Sequence, residues 1–64
     1  MIYNTVLACA KEQNISIREL ERRAGLSNGA ISKWEQSTPT VDNLISVAKV
    51  LDKPLEYFIT GKEE

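Results

Sequence analysis

Rotation by about 100° per residue would gather Asn28, Gly29, Ser32, Lys33 and Gln36 on one side of a helix. Ile31 and Trp34 fall on the other side. The outward set is short and polar, and Lys33 carries its only charge. Asparagine can bond bidentately to adenine in a duplex major groove, lysine can donate to guanine O6 or N7, and serine adapts to either. Gly29 has no side chain, so a sugar–phosphate strand or a thymine methyl could approach there. The plainer alternative is a solvated helix face on which Gly29 is merely tolerated.

The elements that position this set are legible from their ends. Asn28-Gly29 is a strong hairpin signal, but neither flank alternates apolar with polar residues, so no hairpin is expected. The pair is expected instead in the first turn of a third helix, with Ser27 as its cap and Leu26 and Ile31 as its hydrophobic staple. Gly25 stops the second helix where a positive φ costs little. Two short helices therefore meet at a steep angle around a glycine. The second helix opens with Ser16-Ile17-Arg18-Glu19, a capping box in which Ser16 accepts from the Glu19 amide while Glu19 reaches back. Ile15 and Leu20 form its staple, and Leu20 and Ala24 face inward.

A first helix runs from Ile2 to about Gln13, with Ile2, Val6, Cys9 and Ala10 as its apolar stripe, Leu7 partly exposed and Asn14 ending it. Ser37-Thr38-Pro39 is a break. Thr40 caps a fourth helix through about Leu51, on which Val41, Leu44, Ile45, Val47, Ala48 and Leu51 suit a broad buried face. Pro54 opens a last helix, Leu55 to Ile59, that places Phe58 in the core and is closed by Gly61. The fold class is all-α: five short helices in one domain over residues 1–61, with a frayed, charged tail at 62–64. Trp34 belongs to the core by its phase, in preference to stacking on a base, and Cys9 reads as a small buried hydrophobe and not a redox sensor.

Sixty-four residues lie near the lower limit for an unstapled core. One cysteine and no histidine rule out a disulfide framework and leave no basis for a metal site. No cofactor is expected. No signal peptide is visible, and no apolar stretch approaches the roughly 20 residues that span a bilayer. The chain reads as soluble and cytoplasmic, with no membrane partner. An enzyme is disfavoured: there is no nucleophile–base pairing, no phosphate-cradling glycine loop and little room for a pocket. The net charge is −1, yet residues 1–34 carry +2 and residues 35–64 carry −3, which allows one polyanion-facing surface.

The stretches ISIRELERRAGLSNGAISKWE (15–35) and PTVDNLISVAKVLDKPLEYF (39–58) resemble the Cro/CI-type helix-turn-helix domain of phage repressors and small bacterial regulators, also called the xenobiotic-response-element (XRE) family. The resemblance rests on the spacing of Leu20, Ala24, Gly25, Leu26, Ser27, Ile31, Ser32, Trp34 and Glu35, then Pro39, Leu44, Ala48, Leu51 and Leu55. It implies a lambda-repressor-like, five-helix domain whose third helix enters the major groove while the second crosses the backbone. The partner implied is a double-stranded DNA operator; a homodimer, at least on DNA, is expected from Tyr57 and Ile59, which project away from the core phase of Phe58.

On that basis Asn28, Gly29, Ser32, Lys33 and Gln36 are the candidate base contacts. Arg18, in the first turn of helix two, is a candidate phosphate contact. Arg22 is one as well unless it pairs with Glu19, and Arg23 reads as structural. Ser16 and Ser27 are caps whose neighbouring amides can also hold phosphate oxygens. Thr38, Thr40 and Asn43 lie where the family touches the far flank of the groove, against a simpler role in turn and cap chemistry. Ile17 stands on the phosphate-facing side where family members often carry a glutamine. Glu21 replaces a small apolar residue where helices two and three come closest. Ala10 stands where an arginine commonly pairs with the residue at Glu35, and the loop after helix three lacks its usual glycine and basic residues. Tyr57 and Ile59 are the candidate dimer contact.

The leading expectation is a sequence-specific DNA-binding transcription regulator, a repressor of phage or mobile-element type. The alternative is a protein-interaction module, antitoxin-like or an antirepressor partner, for which Ile17, Glu21, the short loop and the acidic C-terminal half speak.

Overall fold

Asn14, Gly25 and Asp52 all occupy the left-handed region, at φ of 60°, 75° and 58°. Each follows the end of a helix. The computed structural model describes residues 2–60, in the order α1 (Ile2–Glu12), α2 (Ile17–Ala24), a 3-10 helix (Ile31–Glu35), α3 (Val41–Leu51) and α4 (Leu55–Thr60). After each of the first three α-helices the chain closes in the same way. Ile15 N donates to Ala10 O at 2.8 Å, Leu26 N to Glu21 O at 2.8 Å, and Lys53 N to Ala48 O at 3.0 Å. These bonds reach five residues back and occupy carbonyls that a helix end leaves without partners. Asparagine and aspartate tolerate the left-handed conformation better than other non-glycine residues.

Two helix starts follow their local sequence. Ser16 Oγ accepts from Glu19 N at 3.1 Å, and Thr40 Oγ1 accepts from Asn43 N at 3.2 Å. The capping box at Ser16 is only half made, because Arg22 and Arg23 hold the Glu19 carboxylate instead of the Ser16 amide. Cations at i+3 and i+4 lie on the same helix face as Glu19 and compete for it.

Five helical elements were expected, and the third is not an α-helix. Four α-helices are present among the described residues, and Ile31–Glu35 is a single stretch of 3-10 helix. Its cause lies just upstream. Gly29 has φ 87°, which no α-helix accommodates, so Asn28-Gly29 forms a turn that precedes the helix and not its first turn. Ala30 occupies the cap position without a side-chain cap bond, so Ser27 is not the cap.

The core draws on every element: Val6, Cys9 and Ala10 from α1, Leu20 from α2, Ile31 and Trp34 from the 3-10 helix, Leu44, Val47, Ala48 and Leu51 from α3, and Phe58 from α4. The α2 helix packs on α3 and α1, the 3-10 helix on α1, and α4 on α1 and α3. The expected broad face of α3 is narrower than its sequence suggests. Val41 is 63% exposed and Ile45 only half-buried, because the packed stripe begins at Leu44 and Val41 lies one turn before it. Gly61 and the tail at 62–64 lie outside the described residues.

Candidate nucleic-acid interface

The turn between α2 and the 3-10 helix closes with Ala30 N donating to Ser27 O at 3.1 Å. Positive φ at its third residue is the requirement of a type II turn, which asparagine-glycine meets. A Cβ built on Gly29 would meet nothing within 4 Å, so backbone conformation and not crowding demands glycine there. Asn28 is exposed at the tip.

Beyond the turn, Lys33 N donates to Ala30 O at 3.2 Å and Gln36 N to Lys33 O at 3.1 Å. Such i→i−3 bonding gives about three residues per turn, so residues three apart eclipse. Ile31 and Trp34 share one row, and both are buried at 0% and 8% exposure. Lys33 and Gln36 share a second row, and Ser32 and Glu35 a third; all four are exposed. The expected grouping of Ser32 with Lys33 and Gln36 is thereby split, and Ser32 shares its row with a carboxylate.

Glu21 ties the two elements together. It is only 3% exposed, with Oε1 accepting from Gly29 N at 3.1 Å and Oε2 accepting from Ile31 N at 2.9 Å. A buried carboxylate is costly unless both oxygens find donors, and here both do. The sequence signal was an acidic residue adjoining Leu20 on a face turned toward an asparagine-glycine turn. No local rule links positions eight and ten residues apart, so the contact was missed.

On the outer face of α2, Arg22 Nε donates to Glu19 Oε1 at 3.0 Å and Arg23 Nε to Glu19 Oε2 at 2.7 Å. The hydrogen bond from Arg22, then that from Arg23, holds the Glu19 carboxyl below the usual carboxylate range. The same contact raises Arg22. Arg18 is exposed and makes no ion pair among the described residues. Arg18, Arg22 and Asn28 line one cleft with Glu21 and Leu26, so candidate phosphate and base contacts adjoin. Gln36 and Thr38 border another with Trp34 and Pro39.

Other candidates lie apart from that cleft. Ser16 and Ile17 line a groove against α1 with Leu7 and Lys11. The Thr40 hydroxyl and the Asn43 amide are paired in the α3 cap, and Ser27 is exposed beside the turn. Tyr57 is half-buried, edge-on to Phe58 with ring centroids 5.3 Å apart and with Lys53 Nζ 5.1 Å from its ring centre. Ile59 is 60% exposed.

A helix-turn-helix family model matches residues 6–58, from the buried face of α1 to the core residue of α4. The chain belongs to the Cro/CI-type (XRE) helix-turn-helix family. Its members are DNA-binding regulators. No curated protein and no solved structure matches the chain. Within the matched span Glu21, on α2, is bonded across the turn to the amides of Gly29 and Ile31 at the entry to the 3-10 helix. Among the described residues no acidic, cysteine or histidine cluster could hold a metal ion, and no helix is long and apolar enough to cross a membrane.

Proposed function

We propose that this helix-turn-helix protein is a sequence-specific regulator of transcription, a repressor of phage or mobile-element type, that reads the major groove with its 3-10 helix. One observation carries the reading. The row Lys33–Gln36 is exposed while its neighbour row Ile31–Trp34 is buried, and Asn28 adjoins Arg18 in the cleft at the turn. Lys33 suits guanine, and Gln36 and Asn28 suit adenine. Arg18 is free for a phosphate, whereas Arg22 reaches one only by leaving Glu19. Ser32 and Gly29 add close approach, and Ser16, Ile17, Ser27 and Thr38 contribute hydroxyl and backbone contacts on the flanks. With Thr40 Oγ1 already accepting from Asn43 N, Thr40 offers its hydroxyl proton and Asn43 its side-chain amide.

Two copies would occupy half-sites about one helical turn apart, with Ile59 and the open edge of Tyr57 in the two-fold contact. Selection of bound sequences from random duplex DNA tests the whole reading. A palindromic consensus is the expected result, and no enrichment overturns it. Ile59→Glu should then abolish the two-to-one complex in sedimentation while leaving the fold intact; an unchanged complex removes the dimer contact. The protein-interaction alternative drew partly on Glu21, but that side chain is turned inward and offers no charge to a partner.

A further inference from the structure

The segment from Ser27 to Glu35 has little means of holding its own shape. A 3-10 helix of five residues is too short to sustain itself, and its bonds are geometrically poorer than those of an α-helix. The first amides of any helix lack partners within it, and an adjacent side chain ordinarily supplies the acceptor. Here the adjacent position is Ala30, which has none. The acceptor comes from the other arm of the motif, as the buried Glu21 carboxylate bonded to the amides of Gly29 and Ile31.

Those amides flank Ala30. A planar group that bonds both fixes the tilt of the turn and the rotation of the 3-10 helix about its axis. Rotation decides which row faces outward: with Ile31 held inward, Lys33 and Gln36 must point away, and Asn28 is held at the tip. The carboxylate is almost wholly covered, at 3% exposure, and both of its oxygens are bonded to these backbone amides.

We infer that Glu21 is a positioning residue for base readout, which presets the reading segment in the free protein and thereby sets sequence discrimination. This rests on the DNA-reading function proposed above. The test compares wild type with Glu21→Gln on the duplex that wild type selects and on an unrelated duplex of equal length. Glutamine keeps one acceptor oxygen and presents an amide donor to the other N–H. The variant is expected to lose about tenfold in affinity for the selected duplex. Affinity for the unrelated duplex and the salt dependence should hold, because phosphate contacts do not pass through Glu21. A purely structural role would lower the melting temperature without moving that ratio. The backbone amide resonances of Gly29 and Ile31 should shift in the same variant.

An unchanged ratio in folded Glu21→Gln overturns the inference. Should that variant not fold, hydrogen exchange on the wild type decides. Gly29 and Ile31 amides protected equally with and without duplex support the inference; protection that arises only on DNA overturns it. If wild type selects no duplex, the DNA reading fails and takes this inference with it. A wild type that binds alongside an indistinguishable variant removes the inference alone.

Discussion

Gln13 Nε2 donates to the carbonyl oxygen of Leu51 at 2.7 Å, joining the ends of α1 and α3 across 38 positions of sequence. Leu51 is the last residue of α3, so its carbonyl has no partner within the helix. Gln13→Ala should cost about 1 kcal/mol, lowering the melting temperature by roughly 4–8 °C for a domain of this size. Circular dichroism on heating measures it. DNA affinity at a temperature where both proteins are folded should not change, since neither residue approaches the proposed reading face.

Gly29 supports a second prediction. With open space around it, Gly29→Ala meets no clash, and the whole penalty is that of holding an L-residue at φ 87°. That penalty is about 1–2 kcal/mol. Asparagine at the same position should cost less than alanine, because its side chain tolerates left-handed backbone. Urea midpoints for the two variants give the order; alanine at or above asparagine would mean that the turn adopts another conformation.

Acid should weaken the outer face of α2. The Glu19 carboxyl is held below the usual carboxylate range by Arg22 first and Arg23 second. Its contribution to stability is therefore complete above that range, declines as the pH drops below it, and is gone once the pH passes the lowered folded value. Arg22 is largely exposed, so solvent screens the pair and the effect is modest. Melting curves between about pH 6 and pH 2 should show wild type losing more stability than Glu19→Gln. Parallel curves would remove the pairing. The same variant frees Arg22 and should strengthen DNA binding at low salt.

Arg18 and Lys33 should separate on DNA. Arg18→Ala is expected to weaken binding to all sequences alike and to reduce the slope of log affinity against log salt by about 1. Lys33→Ala should relax discrimination at one base position by about 1–3 kcal/mol. Titrations of matched and single-mismatch duplexes at several salt concentrations distinguish them; a uniform loss for Lys33→Ala would make it a backbone contact.

The caps at Ser16 and Thr40 and the closures at Asn14 and Gly25 were legible because each depends on residues within about five positions. Val6, Cys9 and Ala10 of α1 and Leu20 of α2 followed from periodicity for the same reason, whereas Ile2 and Ala24 of the same stripes are only half-buried. What escaped depends on two elements already standing side by side. The Glu21 bonds to Gly29 and Ile31 exist only once α2 and the turn are folded together, and they accompany a 3-10 stretch that a 3.6-residue period mistakes for an α-helix. Val41 is apolar on an apolar stripe, but its exposure depends on where the neighbouring helices end. Glu19 was available for a return bond to Ser16 until two arginines on its own face captured it. Membership of the family was carried by spacing; which side chains face outward depends on the rotation of one short helix.

The left-handed closures after α1, α2 and α3 also govern how the chain reaches its native state. They open connections of four, six and three residues, leaving almost no slack. Closing short loops costs little entropy, which favours early pairing of α1 with α2 and of α3 with α4, whereas the α2–α3 and α1–α4 contacts span longer stretches of chain. Speed of folding is thus built into the same three residues that stop the helices.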